Sequence, residues 1–497
     1  MRFWIKIGLI LVLSAVGLTY EIAAGRVLAP FFGTSLLTWT TVIAVVLAGF
    51  SLGSALGGLV AERPPAQAAA TVRKAMIATA VLMALSPLVL SMIYASGARG
   101  TWGMFLAVLV AFFPASVLVS FPSPFLARLA VEARPGREGS SLGIVLAAGS
   151  LGAIVGAILA GFVALPFIGS VATFAGCGLA ALLCVPFIHG GAPGADKGRG
   201  SPAGSSRRLL SVGVAGLLVL AVMSGGSVCR YESGLSCIDV VRQGRVIYLY
   251  SDRTLQAAEQ TVPQSEKGAS HPLVIPYTQW LWARMDQDLG PAPAVLFVGG
   301  GGYTLPTKLL EARPAARAVA VEIDPLVTEV VRRHLPWAAE TIAQTGFDAD
   351  PVAAVFQKGA GRLGIVHADG RVFLNETQQR FDAAVMDAFS SESVPAHLAT
   401  RETYARLAAM VDGPVYVNLI DAPDGALVRG LHAILQEIYP HVQAVQGPVA
   451  GDGRTNLLLA ASRQAFAPLD ALPEGYTAVQ VKAGRAFTDD RGWVGHR

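Results

Sequence analysis

Long apolar segments separated by short polar loops fill the first part of the chain. The segments run approximately over 4–24, 36–61, 75–97, 102–121, 142–165, 170–188 and 209–224. Most reach the length of about 20 residues that an α-helix needs to cross a bilayer, whereas the last is short. The pattern predicts a membrane domain of about seven spans at 1–226, with a flexible Gly/Pro/Ser-rich loop at 189–208.

The remainder of the chain has a different pattern, in which short apolar runs alternate with amphipathic stretches. Strands are predicted at 238–241, 246–250, 295–298, 318–323, 364–367, 383–386 and 415–419. Helices are predicted at 276–285, 304–312, 324–334, 401–410 and 425–439. Alternating strands and helices favour an α/β fold with a parallel sheet.

Basic residues indicate the two sides of the predicted membrane domain. They lie before the first segment and in alternate loops, at Arg2, Lys6, Arg63, Arg73, Lys74, Arg128, Arg134, Arg137, Lys197, Arg199, Arg207 and Arg208. The other loops carry little beyond Arg26 and Arg99. The positive-inside rule places the N-terminus in the cytoplasm, so seven crossings would put the α/β domain outside.

Glycines recur at four-residue spacing in the second and fifth apolar segments, which predicts close contact between helices. They are Gly49, Gly53, Gly57, Gly152 and Gly156. The stretches GFSLGSALGG and GSLGAIVGAILAG are alike. An internal repeat of three spans plus three is therefore an open alternative.

A glycine cluster separates a predicted strand from a predicted helix. Its members are Gly299, Gly300, Gly301 and Gly302. Glycine permits a sharp turn, and the N–H groups at the start of the helix can bind a ligand. Glu322 ends the next strand about 20 residues on, where an acid can bind both hydroxyls of a ribose. The unit predicts a nucleotide-binding β–α–β motif, and a tight turn with a surface glutamate is the alternative.

Two further predicted strands end in acidic residues. Asp369, followed by Gly370, ends one of them, and Asp387 ends the other. Because the carboxyl ends of parallel strands meet at one edge of a sheet, these residues should lie close to the glycine cluster. A helix N-cap or turn residue is the alternative role of Asp387.

Composition narrows the classes of function. The chain of 497 residues is 53% hydrophobic and 14% charged, with a net charge of +4. It lacks a basic stripe with interleaved aromatic residues, so no nucleic-acid partner is expected. None of the four cysteines has the spacing of zinc ligands, and no metal is expected. Cys229 and Cys237 lie just after the last apolar segment and could pair.

Residues 238–465 resemble the spermidine synthase, or polyamine aminopropyltransferase, family. VLFVGGGGYTL resembles its glycine motif, VEIDP its ribose-binding segment and HADGR its adenine-binding segment. MDAFSSESVPAHLATRETY resembles the segment of the catalytic acid, and DRTLQ and PYTQW resemble two substrate-contacting segments. With its apolar first half, the whole chain is similar to the membrane-fused spermidine synthase-like proteins of bacteria.

The resemblance implies a class I methyltransferase-like (Rossmann-like) domain at 291–497, preceded by a small β subdomain and lead-in helix at 227–290. It also implies transfer of the aminopropyl group of decarboxylated S-adenosylmethionine to an amine, with release of methylthioadenosine. In-line attack beside the sulfonium requires a neutral amine held in place. Since the sulfonium is already a good leaving group, no metal is needed.

The family's motifs also imply roles for individual residues on the nucleoside side of the site. The glycine cluster would bind the co-substrate, and Glu322 would hold its ribose hydroxyls. Asp369, with Gly370 beside it, would contact the adenine amino group. Gln256 would contact the nucleoside.

The amine side of the site departs from the family's pattern. Asp387 matches the catalytic acid, and Tyr277 would lie beside the substrate. The acid of the glycine motif is missing, because this chain has Gly302 and Tyr303 there, and the second acid of the DxxD pattern is replaced by Ser390. The candidate substrate-binding residues are Ser390, Ser391, Glu392 and His397.

Several alternatives stay open. The co-substrate could be intact S-adenosylmethionine, and a lyase could cleave it by internal attack without an acceptor. Methyl transfer is compatible with the fold. In a transporter or nucleoside sensor the spans would carry the function, and Glu21 with Arg26 would be charged candidates on a path, although the pair equally suits anchoring at the interface.

The expected partners are a small-molecule amine or a membrane-associated substrate, and the lipid bilayer, with a homodimer left open. The expected location is the cell (inner) membrane, with several spans. The side of the soluble domain is unresolved. Seven spans place it outside, whereas adenosylsulfonium compounds are made in the cytoplasm.

Overall fold

The computed structural model describes residues 2–33, 36–189, 202–224, 229–261, 271–350, 361–389 and 395–490. The chain folds into two compact units, Met1–Cys237 and Ile238–Arg497. The finer division into 1–226, 227–290 and 291–497 stays a prediction. Residues 190–201 of the predicted flexible loop lie outside the described ranges.

The first unit is a bundle of apolar helices. Its α-helices are α1 (Arg2–Phe32), α2 (Leu36–Ala61), α3 (Pro65–Ala95), α4 (Gly100–Ala111), α5 (Phe113–Ser120), α6 (Pro122–Glu132), α7 (Glu138–Leu159), α8 (Leu165–Cys184) and α9 (Pro202–Ser224). Within the described part of the chain, five stretches are long and apolar enough to cross a membrane: Phe3–Phe32, Leu37–Ala61, Pro65–Ala95, Gly100–Glu132 and Glu138–Phe187. These stretches are compatible with the predicted membrane region.

The count of five differs from the seven predicted spans for two reasons. The stretch Glu138–Phe187 contains both α7 and α8, joined by a π-helical segment, Ala160–Ala164. Its backbone leaves the helical conformation at Gly169, where φ is 77° and ψ is 173°, in the gap between two predicted spans. The seventh predicted span corresponds to a shorter apolar helix, Leu210–Val222.

Glycines bring pairs of helices into backbone contact, as their spacing predicts. A Cβ atom at Gly53 or Gly57 of α2 would collide with the backbone at α5 and its end. A Cβ atom at Gly152 or Gly156 of α7 would collide with backbone carbonyls of α1. α3 packs against α8. The middle helix of each predicted triplet thus packs on the first helix of the other, which is the pairing expected of a three-plus-three repeat.

The segment after α9 is attached to one end of this bundle. Cys229 and Cys237 form a disulfide, with Cα atoms 5.6 Å apart. The carboxylate of Glu232, between them, accepts the backbone N–H of Ser170 at 3.0 Å, directly after the break in α8. Arg26 Nε, near the end of α1, donates to a carbonyl of the same disulfide loop at 3.3 Å. The α8 break, the end of α1 and the disulfide loop therefore meet.

The second unit is an α/β domain. After β1 (Tyr231–Glu232) in the first unit, the strands are β2 (Cys237–Gln243), β3 (Val246–Ser251), β4 (Thr254–Gln260), β5 (Ala294–Gly299), β6 (Arg317–Glu322), β7 (Gly346–Asp348), β8 (Leu363–His367), β9 (Ala383–Asp387), β10 (Val415–Asp421), β11 (His441–Gln446), β12 (Thr455–Ser462) and β13 (Thr477–Ala478). The helices are α10 (Pro276–Asp288), α11 (Thr304–Ala312), α12 (Pro325–His334), α13 (Pro336–Thr345), α14 (Gly370–Glu376), α15 (Arg401–Met410) and α16 (Ala426–Ile438). All the strands and helices predicted for this half are present.

The sheets confirm the predicted fold class. β2, β3 and β4 form an antiparallel meander, in which β4 adds a strand that the sequence did not predict. The large sheet has the order β13-β11-β12-β10-β9-β5-β6-β8-β7. Its strands from β10 to β7 are parallel, and β12, β11 and β13 are antiparallel at one side.

The strand register places the predicted site residues at one edge of this sheet. β5 is central and apolar, and its side chains are buried up to Val298. In the parallel register Gly299 pairs with Asp387 and Glu322 pairs with His367. The carboxyl ends of β5, β6, β8 and β9 therefore meet, as expected of a ligand site in an α/β sheet.

Candidate active site

The glycine cluster forms a turn that packs against the end of β9. Gly299 and Gly300 have φ of 79° and 80°, a conformation that side chains with a Cβ rarely adopt. A Cβ at Gly299 would lie 2.5 Å from the Asp387 carbonyl oxygen, and the Gly300 N–H donates to that oxygen at 3.0 Å. Glycine is therefore required for the end of β5 to lie against Asp387.

The Asp387 side chain is held by two side chains from other elements. Tyr277 Oη, on α10, donates to Asp387 Oδ2 at 3.1 Å. Asn418 Nδ2, on β10, donates to Asp387 Oδ1 at 2.7 Å. Burial raises the pKa of Asp387 from 3.8 to about 6, and the hydrogen bonds from Asn418 and Tyr277 counteract that rise. A carboxylate of this kind can exchange a proton near neutral pH.

A small cleft opens beside this carboxylate. The sequence predicted five of its lining residues as site residues, namely Gln256, Tyr277, Gly299, Gly300 and Asp387. Thr278 and Thr304 add hydroxyl groups that the sequence did not predict. The structure thus brings together predicted residues from β4, α10, β5 and β9.

Glu322 lies beneath the glycine turn. Its Oε1 accepts the backbone N–H of Asp324 at 3.0 Å, and its Oε2 would be 3.3 Å from a Cβ at Gly301. Burial raises the pKa of Glu322 from 4.5 to about 7. Gly302 lies against Ala257 of β4, and a Cβ there would collide with it. The carboxylate is therefore close to the turn where a nucleoside is predicted to bind.

Asp369 has two sets of partners in the structure. Its Oδ1 accepts the N–H groups of Arg371 at 2.8 Å and Val372 at 3.2 Å, which caps α14. Its Oδ2 lies 2.9 Å from His397 Nε2, a contact that the sequence did not predict. Gly370 lies against Val298, where a Cβ would be only 2.6 Å from the valine side chain. The adenine-binding role of Asp369 stays a prediction.

Tyr303, which directly follows the glycine cluster, turns towards α12. Its backbone has φ of 55° and its side chain is buried. Its Oη lies 2.7 Å from Thr328 Oγ1, which in turn lies 3.0 Å from His367 Nε2. Burial raises the pKa of Tyr303, so the hydroxyl is neutral and adds no charge at this position.

Of the predicted substrate-binding residues, Ser390, Ser391 and Glu392 lie outside the described residues. Among the residues that the structure does describe, no group of three or more His, Cys, Asp or Glu side chains is placed to hold a metal ion.

The sequence did not predict Asn418 and Asn456 as site residues, although an asparagine inside an apolar strand is a signal that could have indicated Asn418.

Comparison with known proteins supports the resemblance. No family model matches the chain. A polyamine aminopropyltransferase of Vibrio vulnificus is 30% identical over 151 residues, which cover 30% of this chain and 42% of the relative. Polyamine aminopropyltransferase 1 of Streptomyces coelicolor is 25% identical over 423 residues, which cover 82% of this chain and 73% of the relative. The chain spans less than half the length of the first of these relatives.

Solved structures are also similar in part. A probable spermidine synthase from Corynebacterium glutamicum matches with a TM-score of 0.39 and 17% identity, covering 48% of this chain and 82% of that one. The spermidine synthase from Thermotoga maritima matches with a TM-score of 0.35 and 15% identity, covering 53% and 81%. The two curated relatives confirm the resemblance inferred from the motifs: the chain is similar to polyamine aminopropyltransferases, and it carries apolar helices before its α/β domain.

Proposed function

We propose that this protein is a membrane-bound aminopropyltransferase. It binds decarboxylated S-adenosylmethionine at the glycine turn and transfers the aminopropyl group to an amine, leaving methylthioadenosine. The observation that carries this proposal is the Asp387 carboxylate, which faces the cleft beside the turn and is held by Tyr277 and Asn418.

In the proposed reaction the amine nitrogen attacks the carbon next to the sulfonium. A nitrogen–carbon bond forms while the carbon–sulfur bond breaks, and its electron pair returns to sulfur to give a neutral thioether. The amine proton passes to Asp387, whose pKa of about 6 leaves it ionised at neutral pH and able to accept a proton. Tyr277 keeps the carboxylate in place, which maintains the in-line geometry.

The nucleoside is proposed to lie along the carboxyl ends of β5, β6 and β8. Glu322 would accept the ribose hydroxyls, and the N–H groups of the glycine turn would face the co-substrate. Asp369 Oδ2 would accept from the adenine amino group. Because His397 Nε2 lies within hydrogen-bonding distance of that oxygen, nucleoside binding would require His397 to share Oδ2 with the adenine or to move away.

A lyase is the second candidate function, and the position of the Tyr303 side chain is the observation that favours it. The family has an acid that grips an amine where this chain has Gly302 and Tyr303, and the buried Tyr303 hydroxyl lies against Thr328. An enzyme with a weakened amine side could cleave intact S-adenosylmethionine by internal attack. An oxygen of the substrate's own carboxylate would bond to the carbon next to the sulfonium while the carbon–sulfur bond breaks, and the electron pair would return to sulfur. The products would be a lactone and neutral methylthioadenosine, with no second substrate.

We infer that the chain beyond residue 237 lies outside the cytoplasm. Three features that the charge pattern assigns to the outer side meet at one end of the bundle: the end of α1, the break at Gly169 and the segment after α9. That segment is closed by the disulfide between Cys229 and Cys237, which is typical of an oxidising compartment. Labelling of a cysteine introduced at Asp424, which is exposed, with a membrane-impermeant reagent in intact cells tests the placement.

Release of methylthioadenosine by the detergent-solubilised full-length protein tests the function. Intact and decarboxylated S-adenosylmethionine are supplied separately, each with and without a set of amines. Amine-dependent release from the decarboxylated form supports the transferase. Release from the intact form without an amine supports the lyase, and no release from either form contradicts both.

A further inference from the structure

Three adjacent strands, β9, β10 and β12, present polar side chains on the same face. Met386 pairs with Val417 in the parallel register, so Asp387 and Asn418 are neighbours on β9 and β10. Asn456 of β12 pairs with Ile420, two residues beyond Asn418. Because side chains alternate along a strand and paired residues share a face, Asp387, Asn418 and Asn456 all lie on one side of the sheet.

These three side chains form one directed chain of hydrogen bonds. Asn456 Nδ2 donates to Asn418 Oδ1 at 2.9 Å, and Asn418 Nδ2 donates to Asp387 Oδ1 at 2.7 Å. An amide has its donor and its acceptor on opposite ends, so the first bond determines the direction of the second. A flipped Asn418 would place its oxygen against the carboxylate and its NH₂ against the NH₂ of Asn456.

The sheet itself does not need these amides. Asn418 lies in a central strand that is paired on both sides, and its side chain is only 3% exposed. Its neighbours on the same face of the sheet, Tyr416 on β10 and Leu458 on β12, are fully buried. A buried amide costs free energy unless it is hydrogen-bonded, so an apolar residue would suit a purely structural position better.

We propose that Asn456 and Asn418 form an amide relay that holds the Asp387 carboxylate in one orientation and in its ionised form. The proposal rests on the transferase function proposed above. Asn418 occupies Oδ1, which leaves Oδ2 to Tyr277 and to the reacting amine. Both asparagines are positioning residues, since they act through Asp387.

The relay makes a specific prediction about Asn456→Asp. Aspartate has the shape of asparagine, but an ionised carboxylate cannot donate to Asn418 Oδ1. Asn418 should then turn its NH₂ towards residue 456 and its oxygen towards Asp387. Loss of a hydrogen bond to a charged group should raise the apparent pKa of Asp387 by about one pH unit or more.

The experiment titrates Asp387 directly in the full-length protein in detergent. The protonated carboxyl band is followed by infrared difference spectroscopy and assigned with Asp387→Asn. Asn418→Leu should raise the midpoint most, and Asn456→Leu, which removes the donor without adding charge, should also raise it. Asn456→Asp should raise it further than Asn456→Leu, because the new carboxylate also repels Asp387. The double variant Asn418→Leu/Asn456→Leu should match Asn418→Leu alone. The acidic limb of kcat should move to higher pH in the same order, with a smaller change in KM for the nucleoside co-substrate.

The readouts separate failure of the relay from failure of the proposed function. If the titration midpoint of Asp387 is the same in Asn456→Asp and in the wild type, the relay is overturned, whatever the turnover. Absence of turnover with every donor and amine would contradict the transferase, while the infrared midpoint still tests the relay. Should the new charge in Asn456→Asp prevent folding, Asn456→Leu removes the donor without adding charge, and an unchanged midpoint there would equally refute the relay.

Discussion

Two carboxylates, at the ends of the strands on either side of β5, are held in different ways. Glu322, at the end of β6, accepts a backbone N–H from Asp324, so the turn that follows the strand holds it. Asp387, at the end of β9, is held by the side chains of Tyr277 and Asn418. Both pKa values are raised by burial, to about 7 and about 6. A carboxylate held by main chain is a stable part of the fold, whereas one held by side chains can be tuned by substitution.

The largest expected difference between the two carboxylates is in catalysis. Asp387→Asn should lower kcat by about 1,000-fold, because it removes the group proposed to accept the amine proton. Methylthioadenosine should still bind within a few-fold. The measurement is amine-dependent release of methylthioadenosine, with equilibrium binding in parallel. Asp424→Asn, an exposed carboxylate paired with Lys482, is the matched control, and an active Asp387→Asn would disprove the assignment.

Glu322→Gln should weaken nucleoside binding more than it lowers kcat, the reverse of what is expected for Asp387→Asn. Loss of a charged acceptor for the ribose hydroxyls should weaken methylthioadenosine binding by about 10- to 100-fold. At saturating co-substrate, kcat should change much less than in Asp387→Asn. Isothermal titration of the full-length protein measures the affinity, and unchanged affinity would remove Glu322 from the proposed ribose site.

The same substitution should change how stability depends on pH. The pKa of Glu322 rises from 4.5 to about 7 on folding, so its contribution to stability is fully present below about pH 4.5 and is lost as pH rises through about 7. Glutamine does not titrate. Relative to wild type, Glu322→Gln should therefore gain up to about 3 kcal/mol between these pH values.

Thermal unfolding of both proteins from pH 4.5 to pH 8, without ligand, measures this difference. The gap in Tm should widen in favour of the glutamine variant as pH rises. A gap that is constant with pH would show that Glu322 is ionised in the folded state as readily as in the unfolded chain.

The smallest effect is expected from Tyr277→Phe. It removes one of the two donors to Asp387 and leaves the ring in place. The acidic limb of kcat should move up by about one pH unit, from the Asp387 pKa of about 6, so kcat at pH 7 should fall by only about two-fold. The pH–rate profile is the measurement. A uniform loss at all pH values would indicate that Tyr277 contacts substrate rather than supporting Asp387.

The local pattern of the sequence was sufficient for the elements that carry the site. Apolar runs of strand length located β5, β6, β8, β9 and β10, and glycine spacing located the helix contacts of Gly53 and Gly152. The motifs also located Asp387 and Tyr277, which the structure places within hydrogen-bonding distance. These features depend on neighbours along the chain or on a motif of one family.

Other features depended on which strands become neighbours. The disulfide between Cys229 and Cys237 was left open by the sequence, and the pairing of His397 with Asp369 was not predicted. Asn418 and Asn456 are 38 residues apart, and only the register of β10 with β12 brings their amides together. The sequence thus determined the strands, the glycine turn and the acids at the strand ends. The tertiary structure decided which side chains surround each acid, because partners across a sheet are set by long-range packing rather than by local pattern.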